Sequence, residues 1–456
     1  MADLGGLFYR SLLFPMLDLR RGTNSLKCLA ELQKSQWLSK DEILNIQNKR
    51  LRALIKHSYE NVPYYHKTFK KLGIMPEDIK TKEDLVKLPI IDKTIIKNNF
   101  EDFKAKNFEN WKPISRTTGG TTGKPFRYFS DSREHSVFWA DLWRVWGWAG
   151  WEMGEKRATI GGSTPSSSGF KFRSFISSRV MERNLSLSSF EVKTEAMQDH
   201  LDKLKRFKPK ILRGYPSALY LFAKFIKERK ITGPKISSIV SISEQLYEHQ
   251  RKAIENVFEC KVFDNYGCPD GGILVCECEE HEYHINSENA IAEIVKKEDV
   301  VLAGEKGEIV STNLARFAMP FIRYRTGDVG KAKDDKSNCK RGLEMFDSIL
   351  GRTSDYLILP SGDVLSGVSI AAVFNKISSQ INIKHYQVVQ EKKGELRVLL
   401  VADEGYSDKD SELIFGALQE HMGNKMSIEI KEVDDIPLTE SGKRRSVVSK
   451  LEVELT

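Results

Sequence analysis

Residues 210–243 read KILRGYPSALYLFAKFIKERKITGPKISSIVSIS, and this stretch decides the fold. Two short apolar runs flank a segment in which apolar residues recur at helical spacing. The same alternation continues outward, with predicted helices at 195–207, 216–230 and 248–258 and predicted strands at 210–213, 236–243 and 261–267. Strands that alternate with helices of this length pair in parallel, so the pattern predicts a layered α/β domain. Ligands of such sheets bind beyond the carboxyl ends of the strands.

The rest of the chain divides into a large N-terminal part and a small C-terminal part. The 456 residues are 40% hydrophobic and 29% charged, which is the composition of a globular protein that is too long for one core. Near the C-terminus the pattern changes to a predicted hairpin at 385–403, a helix at 408–422 and a strand at 427–433. These elements predict a small α+β domain.

The formal net charge of +8 is spread along the chain and forms no long basic run. Because no stacking platform or basic helix accompanies it, this charge does not indicate a nucleic-acid partner. No apolar run reaches the roughly 18 residues of a membrane span, and no secretory signal is recognisable, so the sequence predicts a cytoplasmic protein without an integral membrane span. The apolar patch from Leu7 to Leu17, followed by Arg20 and Arg21, fits a membrane surface or, more commonly, a helix packed on its own domain.

The sharpest local signal is the loop SRTTGGTTGKP at residues 115–125. Its glycines leave backbone N–H groups unobstructed and its threonines add hydroxyl donors, which suits the phosphates of a nucleotide. It is not a Walker A loop, because Gly123 and Lys124 are followed by Pro125 rather than by Ser or Thr. Taken alone, a flexible turn explains this loop as well as a phosphate site does.

Four further segments follow this loop: YGCPD at 266–270, RYRTGD at 323–328, GRTSD at 351–355 and PLTESGK at 437–443. In this order the five motifs resemble those of the adenylate-forming superfamily of acyl-CoA synthetases, and the resemblance covers nearly the whole chain. The segments 60–74, 80–93 and 213–226 look most like the phenylacetate-CoA ligase branch. Within it, the intact RGYPS at 213–217 and the TGGTTG form of the loop are similar to relatives encoded with capsule and O-antigen polysaccharide genes.

The resemblance implies an adenylate-forming fold with two domains that move relative to each other. Residues 1–351 would form the large N-terminal AMP-binding domain, 352–356 the hinge around Asp355, and 357–456 a small mobile α+β domain. Lys443, in the C-terminal domain, and Asp270 would be the catalytic residues. The Lys443 ammonium can neutralise charge that develops at the α-phosphate and leave again when the domain rotates. Alone, Lys443 would be read as part of a solvated basic tail.

The remaining site residues are also implied by the resemblance. Asp270, where the family usually has Glu, would bind Mg²⁺ directly or through water, because this ion prefers oxygen ligands. Asp328 would accept from the ribose hydroxyls, Tyr266 would stack on adenine, and Arg352 would face the ribose or the α-phosphate. The ATP- and AMP-binding set comprises Thr118, Gly119, Gly120, Thr121, Thr122, Gly123, Lys124, Ser243, Glu244, Asn265, Tyr266, Gly267, Asp328 and Arg352.

The cysteines suggest a metal centre. The candidate ligands of a tetrahedral Zn²⁺ are Cys276, Cys278, His281, His284 and Cys339. Members of the branch often carry a structural zinc whose ligands match Cys278, His284 and a later Cys-x-Cys-Gly. Here that later segment reads Cys339-Lys-Arg341-Gly, so one cysteine is missing. Either Cys276 or His281 replaces it, or the thiols are scattered and bind no metal.

These features predict an enzyme that uses ATP and Mg²⁺ to activate a small carboxylic acid, releasing pyrophosphate. The acyl group would then pass to CoA, a carrier thiol or a sugar amine, in capsule or O-antigen polysaccharide biosynthesis. The alternative is an arylacetate:CoA ligase of catabolism, and a third reading is an inactive relative that only binds a nucleotide. The resemblance leaves open whether the chain forms a homodimer.

Overall fold

The computed structural model describes residues 4–118, 126–161, 183–188, 194–333, 337–352, 356–361, 364–366, 370, 373–374, 376–378, 380–423, 426–437 and 445–451. Among the expected site residues, the loop 119–124, Asp355 and Lys443 lie outside these ranges. Only the backbone is described for Thr118 and Arg352.

The N-terminal part is helical. It contains α1 (Leu4–Phe8), a π-helical stretch (Tyr9–Leu13), α2 (Phe14–Arg21), α3 (Ser25–Ser35), α4 (Lys40–Asn61), α5 (Pro63–Leu72) and α6 (Lys93–Asn98). Helix α4 begins with a capping box, in which the Ser39 side chain accepts from the Glu42 N–H and the Glu42 side chain accepts from the Ser39 N–H. No helix within the described ranges combines the length and apolar character needed to cross a bilayer.

A hairpin presents the expected phosphate loop. Strands β1 (Ile114–Thr118) and β2 (Phe126–Ser130) pair in antiparallel fashion, with Thr118 opposite Phe126. The ends of the loop are therefore held side by side. Asp131 then caps α7 (Ser132–Trp148), whose aromatic residues pack into the core.

Half of the main sheet is parallel. Its strands are β3 (Arg157–Gly161), β4 (Asn184–Ser188), β5 (Ile211–Gly214), β6 (Ser238–Ile242) and β7 (Lys261–Cys268), in the order β4-β3-β5-β6-β7. The helices between them are α8 (Thr194–Phe207), α9 (Pro216–Glu228) and α10 (Glu248–Phe258). The predicted alternation of residues 195–267 is thus confirmed, with all four neighbouring pairs parallel.

The other half of the sheet is antiparallel. It contains β8 (Ile273–Glu277), β9 (Tyr283–Ile285), β10 (Ala290–Lys296), β11 (Asp299–Val300), β12 (Lys306–Asn313), β13 (Tyr324–Ala332) and β14 (Met345–Arg352). From β7 the order runs β8-β9-β14-β13-β12-β10-β11, so β14 lies between two strands that precede it in sequence. Apolar side chains pack on the main sheet as a whole. Trp146 and Trp151, for example, are almost completely buried.

The C-terminal part has its own sheet and apolar core. Its strands are β15 (Tyr356–Ile358), β16 (Val364–Ser366), β17 (Ile383–Gln390), β18 (Glu395–Ala402), β19 (Ser427–Glu432) and β20 (Val447–Ser449), with helix α11 (Asp408–Met422) before β19. The four-stranded sheet has the order β19-β18-β17-β20, and the expected β17–β18 hairpin is present. Its core cluster runs from Leu357 to Val447. The exact division at 351–357 stays a prediction.

Candidate active site

Strands β5, β6 and β7 end at one edge of the parallel sheet, where the expected nucleotide residues begin. Ile242, the last residue of β6, pairs with Asn265 of β7. Directly after it, Ser243 has a φ of +68°, a left-handed conformation that is uncommon outside glycine and turns the chain sharply. The next residue, Glu244, accepts through Oε2 from the Ser217 N–H at 3.1 Å. The loop after β5 and the loop after β6 are thereby joined at the carboxyl edge, as expected for a ligand site.

Tyr266 and Asp328 meet, although 62 residues separate them in the sequence. The Tyr266 hydroxyl donates to Asp328 Oδ2 at 2.8 Å. Burial, followed by the negative charge of Asp328, raises the pKa of Tyr266 well above its ordinary value, so the phenol stays a donor. Asp328 is buried and is paired in the β13–β14 register with Arg352. Two residues expected to contact adenosine are therefore in contact with each other, and the backbone of a third, Arg352, lies opposite Asp328.

The other expected nucleotide residues of this edge differ in exposure. Gly267 is exposed beside Tyr266, and Ser243 is exposed at the turn after β6. Asn265 is buried, and its Oδ1 accepts from the Cys276 thiol at 2.6 Å. Asn265 therefore positions the end of β7, and its side-chain oxygen already has a protein partner.

Asp270 lies two residues after the end of β7 and is enclosed by protein groups. The Tyr324 hydroxyl donates to Oδ2 at 2.6 Å, the Cys268 thiol donates to Oδ1 at 3.2 Å, and Lys93 Nζ lies 3.4 Å from Oδ2. Burial alone would raise the pKa of Asp270, but the Lys93 ammonium and these hydrogen bonds lower it below its ordinary value. A direct bond from Asp270 to Mg²⁺ would require Lys93 or Tyr324 to move away, so this role stays a prediction.

Arg316 fixes the backbone of this loop, a role that the sequence did not reveal. Its side chain is fully buried, and it donates through Nη1 to the Asp270 carbonyl at 2.7 Å and through Nη2 to the Pro269 carbonyl at 2.8 Å. The guanidinium also forms a two-pronged ion pair with Glu134 of α7, with bonds of 2.8 and 2.5 Å. Such bidentate pairs fix geometry as well as charge. Glu134 and Arg316 therefore connect α7 to the loop that contains Pro269 and Asp270.

A second cluster, at the β8–β9 turn, has the composition of a metal site. Its members are Cys278, Glu282, His284 and Cys339, whose ligand atoms all lie within 4.8 Å of one another. Cys278 and His284 are buried, and the Cys339 sulfur lies 3.0 Å from His284 Nε2. Burial raises the pKa of Cys278, whereas hydrogen bonds, first from His284, outweigh burial and lower the pKa of Cys339. Two thiols, an imidazole and a carboxylate fit the donor set of tetrahedral Zn²⁺.

Two of the expected zinc ligands, Cys276 and His281, lie outside this cluster. Cys276 donates to Asn265, because it lies within β8, whereas the chain turns after Glu277 and carries Cys278 into the cluster. His281 Nδ1 lies 3.3 Å from Glu277 Oε2 and 3.4 Å from Arg251 Nη1, so its ring faces an ion pair outside the cluster. Glu282 lies in the cluster instead, and its carboxylate also accepts from Lys333, Ser337 and Asn338. The only sequence signal for it is an acid two residues before His284.

We expect the purified protein to contain about one zinc ion, bound by the cluster of Cys278, Glu282, His284 and Cys339. Cys339→Ser should remove the zinc and lower the melting temperature, because structural zinc contributes folding free energy. Cys276→Ser should keep the zinc and serves as the matched control. Metal analysis of the desalted proteins measures both results, and zinc loss from the Cys276 variant alone would contradict the assignment.

Comparison with known proteins places this site in context. The crystal structure of 2-hydroxyisobutyryl-CoA ligase in the postadenylation state, in complex with R3-HIB-AMP, is similar with a TM-score of 0.72 and 17% identity, covering 92% of each chain. The chain therefore has the fold of the adenylate-forming CoA ligases, which confirms the predicted fold class.

Comparison of the amino-acid sequence identifies a matching family model and individual relatives. Residues 357–450 match the family model of the CapK C-terminal domain. The chain is 24% identical over 424 residues to protein CapK of Staphylococcus aureus, covering 90% of each. It is 27% identical over 392 residues to the phenylacetate-coenzyme A ligase of Escherichia coli, covering 81% of this chain and 84% of the relative. Its homologues thus include CapK and the phenylacetate-CoA ligases, which confirms the predicted resemblance.

Proposed function

We propose that this protein is an AMP-forming carboxylate ligase. The single observation that carries the proposal is the hydrogen bond between Tyr266 and Asp328 at the end of the parallel strands, with the backbone of Arg352 opposite Asp328, in a chain homologous to CoA ligases. A buried carboxylate beside a phenol and opposite an arginine supplies an acceptor for ribose hydroxyls and an aromatic surface for adenine. This arrangement suits the adenosine part of a nucleotide.

The reaction has two halves. A carboxylate oxygen of the acid attacks the α-phosphorus of ATP, the bond from that phosphorus to the bridging oxygen breaks, and pyrophosphate leaves. A thiol or an amine then attacks the acyl carbonyl, loses its proton, and displaces AMP. Since both anions of the first half must approach each other, we assign charge stabilisation to Lys443 and to the N–H groups of loop 119–124, with Mg²⁺ entering on ATP.

Two acceptor classes follow from the homologues. Similarity to CapK favours capsule or O-antigen polysaccharide assembly, with CoA, a carrier thiol or a sugar amine as acceptor. Similarity to phenylacetate-CoA ligases favours an arylacetate and CoA. We place the first reading ahead, because the C-terminal residues 357–450 match the CapK family model.

A panel of carboxylic acids with ATP and Mg²⁺ tests the proposal, with pyrophosphate and AMP followed separately. Pyrophosphate release that depends on one acid supports the first half-reaction. AMP release that requires CoA and an arylacetate favours the arylacetate ligase, and AMP release with an amino sugar favours polysaccharide assembly. A folded protein that binds ATP and releases no pyrophosphate with any acid would favour the inactive relative.

Asp328→Ala should weaken ATP binding by roughly 1.5–3 kcal/mol, because a hydrogen bond to a charged acceptor is lost. Tyr266→Phe is the informative partner variant: it removes the hydroxyl that donates to Asp328 and keeps the ring available for adenine. It should therefore weaken ATP binding less. Calorimetric titration with ATP measures both constants. Wild-type affinity in the Asp328 variant would remove this residue from the site.

A further inference from the structure

The N-terminal helical segment, residues 4–21, is exceptional for the apolar side chains that it exposes. It carries five of the thirteen exposed large apolar side chains in the described part of the chain. They are Leu7 (52% exposed), Phe8 (56%), Leu12 (52%), Met16 (63%) and Leu19 (83%). Leu12, Met16 and Leu19 are spaced four and three residues apart, so they form one stripe along the helix.

The opposite face of the segment is firmly packed. Tyr9 and Phe14 are buried, and the Phe14 ring meets Trp143 edge-on at 5.0 Å between centroids. Asp18 is also buried and accepts from the Ser25 hydroxyl at 3.1 Å and the Leu26 N–H at 3.3 Å. The helix is therefore fixed on the domain, and its exposed stripe is a ridge that needs no rearrangement to be accessible.

The exposed charged residues of the segment 4–21 are all basic. Arg10, Arg20 and Arg21 are exposed, and Arg20 continues the stripe four residues after Met16. Asp18 is the sole acid among residues 4–21, and it points inward. The exposed Lys112 adds an ammonium at the end of the helix, 2.8 Å from where a Cβ on Gly22 would stand. Arg10 is partly offset by Glu152 at 3.5 Å.

We propose that residues 4–21 dock the protein peripherally on an anionic lipid surface. An aliphatic ridge flanked by arginines is the pattern of a helix that lies in the membrane interface, with its apolar side chains among the acyl chains and its cations at the phosphates. A second copy of this chain fits less well, because two such ridges would bring arginines against arginines. The proposal goes beyond the proposed function and does not depend on it.

Co-sedimentation of the full chain with vesicles tests the proposal. Vesicles of equal parts phosphatidylcholine and phosphatidylglycerol should bind the wild type, and phosphatidylcholine vesicles should bind it much more weakly. The triple variant Leu12→Glu, Met16→Glu, Leu19→Glu should lose at least about tenfold in affinity. Arg20→Glu and Arg21→Glu should each cost about fivefold, and added salt should weaken the wild type.

The matched control is the triple variant Val86→Glu, Val300→Glu, Leu302→Glu, which places the same charges at exposed apolar positions elsewhere. It should bind anionic vesicles nearly as well as the wild type. The proposal is overturned if the wild type does not prefer anionic vesicles, or if the two triple variants bind equally. A dimer in solution that only the ridge variant abolishes would overturn it in favour of self-association. Unchanged ATP–pyrophosphate exchange in the ridge variant keeps this test separate from the enzyme assignment.

Discussion

Replacing Arg316 with Met is expected to lower the free energy of unfolding by about 3–5 kcal/mol, the range for leaving one member of a buried ion pair alone. Glu134 would keep a charge in the core, and the carbonyl groups of Pro269 and Asp270 would lose their donor. Denaturant unfolding of the purified variant measures the effect. These carbonyl groups belong to the loop after β7, next to the proposed ATP-binding residue Tyr266. ATP affinity should therefore fall as well.

Two control variants separate this explanation from a general effect of losing a cation. Lys67→Met breaks the exposed pair of Lys67 with Asp102 at 2.8 Å, and should cost no more than about 1 kcal/mol. The double variant Glu134→Leu, Arg316→Met removes both buried charges and should regain part of the lost stability. If the Arg316 and Lys67 single variants were equally stable, the buried network would contribute no more to the free energy of unfolding than an exposed ion pair does.

The second large effect is expected at Lys443. Lys443→Ala should leave ATP binding nearly intact and slow adenylation by about 10²–10³-fold, the scale for losing one preorganised charge stabiliser. Lys443 itself lies outside the described residues, but the chain on both sides of it is tied to the C-terminal sheet. The Val433 N–H donates to the Leu400 carbonyl at 2.9 Å, and the Gln387 amide donates to the Arg445 carbonyl at 2.9 Å.

Lys450→Ala is the matched control for Lys443. Lys450 is a nearby exposed lysine whose ammonium pairs with Glu391 at 2.5 Å, so its loss should affect neither half-reaction. Pyrophosphate exchange at saturating ATP gives the adenylation rate of each variant. If both lysine variants retain the wild-type rate, Lys443 belongs to a solvated basic tail.

Elements with complete local signals were predictable. The helix predicted at 408–422 is Asp408–Met422, because Ser407 precedes it as a cap and Gly423 follows it. The parallel strands were recognisable as short apolar runs between helices of regular length. The neighbourhood of Tyr266 and Asp328 was anticipated through the family's motif order, since spacing alone relates neither residue to the other.

Features that depend on distant partners were missed. Arg316 stands in an unremarkable segment, and its contact with Glu134 spans 182 residues. Glu282 joins the cysteine cluster because of the turn after β8, whereas Cys276 and His281 lie outside it, and the identity of the zinc ligands stays a prediction. The roles of loop 119–124, Asp355 and Lys443 stay predictions.

The place of β14 in the main sheet has a consequence for the synthesis of the chain. This strand fills the gap between β9 and β13, pairing Met345 with His284 at one end and Arg352 with Asp328 at the other. Until residue 352 of the nascent chain has emerged from the ribosome, β9 and β13 therefore each have an edge that lacks its partner strand, β14. Exposed edges of this kind invite pairing with other chains. The same eight residues close the sheet and place Arg352, a residue that we propose for nucleotide binding, opposite Asp328.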